Sequence, residues 1–220
     1  MKNICIIGSS GHAGAAIDVI EKEGRYCITG LIDRFREPNE VVHGYPILGS
    51  EDNLPELCNS LALYGVFVAI GDNLVRSRVV EYIKNSCPSL PFITAVHPSS
   101  SLAKNVTVGD GTIVMSGVSV NAGCTIGESC ILNTGASLDH DSTMKDFSSI
   151  APGVVTGGNC VIGQASAICI GATLVHNVHI GDNSIIGAAS LVLDSMGPYV
   201  IAYGSPAKVI RKRAPDDKYL

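Results

Sequence analysis

From Leu102 to Val192 a large apolar side chain returns at every sixth position: Leu102, Val108, Val114, Val120, Ile126, Leu132, Leu138, Met144 and Ile150, then Ile162, Ile168, Leu174, Ile180, Ile186 and Val192. Thr156 is the single exception, and no insertion disturbs the phase. A small or compact residue sits two places before each one, among them Thr112, Cys124, Cys130, Ala136, Ser142, Cys160 and Ser166. A period of six fits neither the 3.6 of a helix nor the alternation of a flat strand. It fits a three-sided parallel β-helix, in which three hexads make a turn of 18 residues and residues one turn apart stack vertically. With coils spaced like neighbouring strands, the run predicts about five coils and a column on the order of 25 Å tall. The period stops near Ser195, so 97–195 reads as the β-helix and 196–220 as a cap and tail.

The first 96 residues carry a different pattern. Lys2 to Ile7 is a short apolar run expected to form a buried strand, followed by the loop Gly8-Ser9-Ser10-Gly11-His12-Ala13-Gly14. A helix is expected over Ala15 to Glu23 and a second strand over Tyr26 to Ile32, ending at Asp33. Further strands are expected at Gly65 to Ile70 and at Phe92 to Val96, with a helix over Val75 to Lys84. This β-α-β opening is Rossmann-like, with a polar loop where open α/β sheets hold ligands. The spacing Gly8-x-x-Gly11-x-x-Gly14 is only loosely the dinucleotide fingerprint. Three readings stay open for it: a nucleotide diphosphate near His12 with Asp33 accepting from ribose or base, a nicotinamide dinucleotide, or a structural glycine turn.

Composition narrows the partners. A formal charge of −5, with no basic run beyond Arg211-Lys212-Arg213, argues against a general nucleic-acid surface. No stretch approaches the length of an apolar membrane span and the amino terminus lacks a leader pattern, so a cytoplasmic protein without membrane insertion is expected. Cys124, Cys130 and Cys160 fall in the small inward slot, and none of the 8 cysteines has metal-ligand spacing. They read as reduced thiols packed as small hydrophobes.

Stacking singles out one histidine. His140 follows Leu138 by two and so points outward at a corner, with Gly158 one coil above it and His176 above that. Gly158 leaves a notch over the imidazole and an accessible backbone N–H, and Asp139 and Asp141 flank the ring. A carboxylate-supported imidazole beside a free N–H is what acyl transfer needs: a base for the nucleophile's proton and a donor for the oxyanion. The bland alternative is a solvated histidine in a charged corner. A metal shared by His140 and His176 is not expected, because two coils separate their backbones by roughly 10 Å.

The chain resembles the hexapeptide-repeat acyltransferases, and over its length the bacterial nucleotide-sugar N-acetyltransferases, a group that includes sialic acid O-acetyltransferases. The resemblance rests on Gly8-Ser9-Ser10-Gly11-His12, Val96-His97-Pro98-Ser99, Asn133-Thr134-Gly135-Ala136, Asp139-His140-Asp141, Ile150-Ala151-Pro152-Gly153 and Gly204-Ser205-Pro206-Ala207. It implies a left-handed β-helix, a known exception to right-handed crossovers, and a homotrimer with active sites between subunits. It implies acetyl-CoA as donor and a UDP- or dTDP-linked 4-amino-4,6-dideoxy sugar as acceptor. By the same resemblance His140 is the general base, Asp141 its support and the Gly158 N–H the group polarising the thioester. Ser10, Gly11, His12, Asp33, Arg34, Gly71 and Asn133 match the substrate side. Ser149, Ile170 and Ala188 match the coenzyme side, with Lys208 and Arg211 placed there by charge. Ser149 departs from the pattern, standing where many relatives have a second histidine. The competing readings are a sugar or sialic acid O-acetyltransferase and a non-catalytic β-helix binding protein.

Overall fold

The computed structural model describes residues 1–214 and 217, which divide by their contacts into two units, 1–98 and 99–220. The expected tail residues 215–216 and 218–220 lie outside the described residues.

The first unit is an α/β sheet of five strands: β1 (Lys2–Ile7), β2 (Tyr26–Ile32), β3 (Val41–Val42), β4 (Tyr45–Gly49) and β5 (Gly65–Val68). They lie in the order β3-β4-β2-β1-β5, parallel except for the hairpin partner β3. β1 is central, and its residues Ile4 to Ile7 have no exposed surface. That is why the run is apolar without alternation. The helices are α1 (Gly11–Glu23), α2 (Leu54–Ser60) and α3 (Asn73–Ser86).

Two boundaries differ from expectation. Helix α1 begins at Gly11 and not at Ala15, so His12 and Gly14 are helical. The turn is completed earlier than the glycine spacing suggested: Gly8 takes a φ of 100°, and Ser10 is already the extended N-cap. Gly14 serves packing, since a Cβ there would lie 2.9 Å from the His43 ring. The strand expected through Ile70 stops at Val68, and that expected at Phe92 survives as one bridge from Phe92 to Val66 and the pair Ala95–Val96. The short β3, β4 and α2 were not anticipated.

The second unit is the three-sided parallel column. One face stacks Ser101–Leu102, Ser119–Val120, Ser137–Leu138, Val155–Thr156, Thr173–Leu174 and Leu191–Val192. The second runs from Thr107–Val108 to His179–Ile180, and the third from Ile113–Val114 to Ile185–Ile186. The third face continues into the hairpin Val200–Gly204 and Ala207–Lys212. Every inward aliphatic from Val114 upward is buried, and so is every small residue two places before it from Thr112 upward. Where the small slot holds a hydroxyl, it joins coils: Thr112, Ser142 and Ser166 accept from the N–H of Cys130, Cys160 and Ser184 at 2.8–3.0 Å.

Corners have their own rule. From Gly111 to Ala189 every sixth residue has positive φ, with Gly, Asn, Asp, Ser, Ala and Phe147 all represented. Only glycine does so without a steric penalty. Other glycines are required by approach. A Cβ on Gly163 would lie 2.5 Å from the backbone N of Asp182 in the next coil, whereas one on Gly153 (φ 69°) would touch nothing within 4 Å. Gly153→Ala is therefore expected to lose about 1 kcal/mol, the ordinary left-handed cost. Gly163→Ala should lose several times as much, because only backbone can yield. Paired urea denaturation curves check the difference, and equal losses would contradict the close-stacking account.

Candidate active site

In the first unit a cleft of about 340 Å³ opens over the carboxyl ends of the sheet strands. Gly8, Ser9, Ser10, Asp33, Arg34, Phe35, Glu51, Ile70, Gly71, Asp72 and Val75 are among its lining residues. Of the residues expected on the substrate side, Ser10, Asp33, Arg34 and Gly71 line it, while Gly11 and His12 do not. Asp33 is held by its neighbours: Ser9 Oγ donates to Oδ2 at 2.5 Å and the Phe35 N–H to Oδ1 at 2.9 Å. Arg34 donates from Nε to the buried Glu51 at 3.0 Å, which raises its pKa and offsets its charge.

His12 is corrected most. Its Nε2 is buried with no hydrogen-bond partner, and burial, helped by the nearby Arg76 cation, lowers its pKa to about 4. The ring is neutral at physiological pH and brings no charge to an anion. Arg76, which the sequence reading missed, is 1% exposed and clamps the turn after β5, donating to the carbonyls of Ile70 and Gly71 and to Asn73 Oδ1. A cation inside an apparently ordinary amphipathic helix gives no local signal of that role.

In the second unit the His140 corner forms as the stacking rule requires. Asp141 occupies the positive-φ position (57°), and this turns its carboxylate back so that Oδ2 lies 2.9 Å from His140 Nδ1. A carboxylate only accepts, so Nδ1 carries the proton and Nε2 presents its lone pair. The hydrogen bond to Asp141 raises the pKa of His140, opposed by desolvation and reinforced by the charges of Asp139 and Asp141. Asp139 Oδ1 accepts from Asn121 Nδ2 at 2.6 Å and from the His140 N–H at 2.8 Å, which hold Asp139 below the usual carboxylate range. Glycines frame the pair. A Cβ on Gly158 would lie 2.5 Å from His140 Cε1 and Nε2, and Gly123 leaves room for Asp141 Oδ1.

Two expectations fail here. The Gly158 N–H is not bare: it donates to His176 Nδ1 at 2.9 Å. A ring nitrogen accepting from a backbone amide carries no proton, so in His176 the N–H is on Nε2. The separation argument also fails, because ligand atoms of Asp139, His140 and His176 lie within 4.8 Å of one another. Backbone spacing ignored the reach of the side chains. Gly157 assists, since a Cβ there would press on the His176 ring at 3.0 Å.

The remaining predicted residues lie elsewhere. Ile170 (59% exposed) and Ala188 are open at one corner column, stacked above Pro152 through the bonds Gly171 N to Pro152 O and Ala189 N to Ile170 O. Asn133 lies beside the same corner, its Oδ1 accepting from the Thr134 N–H, and not at the corner of His140. Ser149 is 5% exposed, laddered between Ile131 and Ala167, and offers no open groove contact in this chain. Lys208 is exposed, whereas Arg211 is paired with Asp217. Among the described residues no two cysteines are joined in a disulfide, and Cys124, Cys130 and Cys160 point inward and donate to carbonyls. Among the described residues no helix is long and apolar enough to cross a membrane.

Residues 3–83 match the family model of the PglD N-terminal domain. A curated relative, UDP-N-acetylbacillosamine N-acetyltransferase of Bacillus subtilis, is 30% identical over 116 residues, which span 52% of each chain. The chain thus spans about half the length of that relative. Similarity to solved structures runs further. A histidine-to-alanine variant of GDP-perosamine N-acetyl transferase from Caulobacter crescentus, in complex with CoA and GDP-perosamine, is 31% identical with a TM-score of 0.90. That match covers 96% of this chain and 98% of the other. The acetyltransferase domain of PglB from Neisseria gonorrhoeae, in complex with acetyl coenzyme A, is 26% identical with a TM-score of 0.84, covering 95% and 99%. On this full-length similarity the chain belongs to the nucleotide-sugar N-acetyltransferases, whose second unit is a left-handed β-helix of hexapeptide repeats.

Proposed function

We propose that this protein transfers the acetyl group of acetyl-CoA to the 4-amino group of a nucleotide-linked 4-amino-4,6-dideoxy sugar, with His140 as general base. The observation that carries the reading is the Asp141–His140 pair seated under Gly158 in a chain of this family. In the proposed reaction His140 Nε2 takes the proton of the amine as its nitrogen bonds to the acetyl carbon. The carbon–sulfur bond then breaks, and the proton passes to the departing CoA thiolate. Asp141 keeps Nδ1 protonated throughout and steadies the imidazolium. The Gly158 N–H would polarise the thioester carbonyl once His176 releases it.

The UDP or dTDP carrier expected from the sequence stands beside GDP, since the Caulobacter enzyme was solved with a GDP-linked sugar. We assign the carrier to the first-unit cleft, with Ser10, Asp33, Arg34 and Gly71 as contacts. Ile170, Ala188 and Lys208 are proposed for the coenzyme. One feature of the column supports a homotrimer. Ile170 and Ala188 lie at one corner and His140 at another, so one site using both sets draws them from neighbouring copies.

A thiol-release assay with acetyl-CoA and UDP-, dTDP- and GDP-linked 4-amino sugars tests the proposal, with sialic acid as the hydroxyl control. Release with sialic acid alone would establish the O-acetyltransferase instead. His140→Ala is expected to lower kcat by about two to four decades, and near-normal turnover would end the general-base assignment. Asp141→Asn removes the chief cause of the raised His140 pKa. Because the base must be unprotonated, the acid limb of the kcat/KM profile should move to lower pH as the maximum falls. A limb that stays in place would remove Asp141 from the mechanism. His176→Ala uncovers the Gly158 amide, an exchange worth about 1 kcal/mol. It should lower the KM for acetyl-CoA by roughly fivefold with kcat little changed, and a loss of kcat by decades would make His176 a participant.

A further inference from the structure

The one break in the aliphatic series is also a break in the hydrogen-bond ladder. Along the column the N–H after each inward aliphatic donates to the carbonyl seventeen residues on. Asn121 to Leu138, Asn133 to Ile150, Lys145 to Ile162 and Cys169 to Ile186 are examples, at 2.8–3.0 Å. At Asp139 the N–H goes instead to the side-chain Oγ1 of Thr156, at 3.0 Å. Strand pairing records the same displacement. Ser137 pairs with Val155, but Leu138 and Thr156 do not pair, whereas the neighbouring coils of that face pair at two residues. The altered N–H belongs to the residue just before His140, and Thr156 lies two residues before Gly158.

Nothing in the core asks for a hydroxyl there. Thr156 is 4% exposed, and Leu138 and Leu174 fill the slots below and above it. A valine of similar volume would match the rest of the series and leave the carbonyl to take the ladder bond. Asp139 already fixes its own side chain on Asn121 and the His140 N–H. Its backbone N–H is thus the contact through which the coil above sets the corner.

We propose that Thr156 is a positioning residue: by taking the Asp139 N–H on its hydroxyl, it holds the His140 corner out of the regular ladder. This sets the height of the base beneath Gly158. The inference rests on His140 being the base of the proposed reaction. Thr156 touches no reacting atom and acts through Asp139 and His140. The scaffold gives up one regular backbone bond and admits a buried hydroxyl for this, a trade of stability for site geometry.

The test compares Thr156→Val and Thr156→Ser in the full chain by thermal melting, steady-state kinetics across pH and NMR titration of the His140 ring. Thr156→Val should melt no lower than the parent, since it restores the ladder. Its kcat should fall about ten- to a hundredfold, the scale of a misplaced catalytic group, with acceptor KM within about twofold and the His140 titration moved. Thr156→Ser keeps the hydroxyl and should recover most of kcat while melting lower. Parental kcat and an unmoved His140 titration in Thr156→Val would overturn the proposal. So would melting point and kcat falling together in both variants. The titration needs no substrate: if the parent transfers no acetyl group to any amino sugar, the reaction assignment fails, and an unmoved ring still decides against Thr156.

Discussion

Every coil of the column rests on a backbone N–H donating to a carbonyl seventeen residues further along, and this one bond dictates the rest. It forces residues eighteen apart into vertical register, so an outward side chain meets the same position in the next coil. The corners must then turn within a few residues, and the positive-φ position recurring from Gly111 to Ala189 is the answer. A functional group on such a column has three freedoms: which corner, which coil, and what the residues above and below leave open. His140 is defined by all three. Its corner gives it Asp141 at a left-handed position, and its coil places Gly158 over the ring and Gly123 under the carboxylate.

The electrostatics of the corner follow from which atoms can only donate or only accept. Asp141 accepts, so His140 holds its proton on Nδ1; the Gly158 amide donates, so His176 holds its proton on Nε2. Two stacked imidazoles thereby sit in complementary states with a pair of glycines between them. The stacking that places Gly158 over the His140 ring also brings His176 within reach of its N–H. An amide left exposed on such a column recruits the nearest acceptor. A ligand carbonyl that uses this donor has to displace an internal partner, and part of its binding energy offsets that loss.

The column was legible because its period is unbroken and its two inward slots differ in size. The position of His140, its outward direction and the glycine above it follow from counting. Counting could not show the state of the Gly158 amide, because stacking fixes where backbones lie and not how far an imidazole reaches two coils away. The distance placed between His140 and His176 failed for the same reason. In the first unit the central strands were legible as apolar runs. The start of α1 was not, since Gly11 to Gly14 read equally as loop or first helical turn, and that shifted His12 from an open loop into a half-buried helical position with its Nε2 covered. Arg76 and Glu51 were invisible, being charged residues whose burial depends on partners distant in sequence or on loop carbonyls.

The first-unit cleft shows how little cationic charge the proposed nucleotide carrier meets. His12 is neutral, Arg34 is partly offset by Glu51, and Arg76 is spent on the carbonyls of its own turn. In a chain of net charge −5, a diphosphate held here meets backbone dipoles more than side-chain charge. Helix α1 begins at the cleft, and the Ser10 carbonyl takes the N–H groups of Ala13 and Gly14. The amides of Gly11 and His12 precede that ladder as the open donors of a helix start, although neither residue lines the cleft. Recognition through oriented amides depends on shape and distance and is screened less by salt than a cluster of exposed lysines. In the proposed binding mode the opening loop has one fixed contribution: Gly8, at a φ of 100°, makes the turn that leads into the helix.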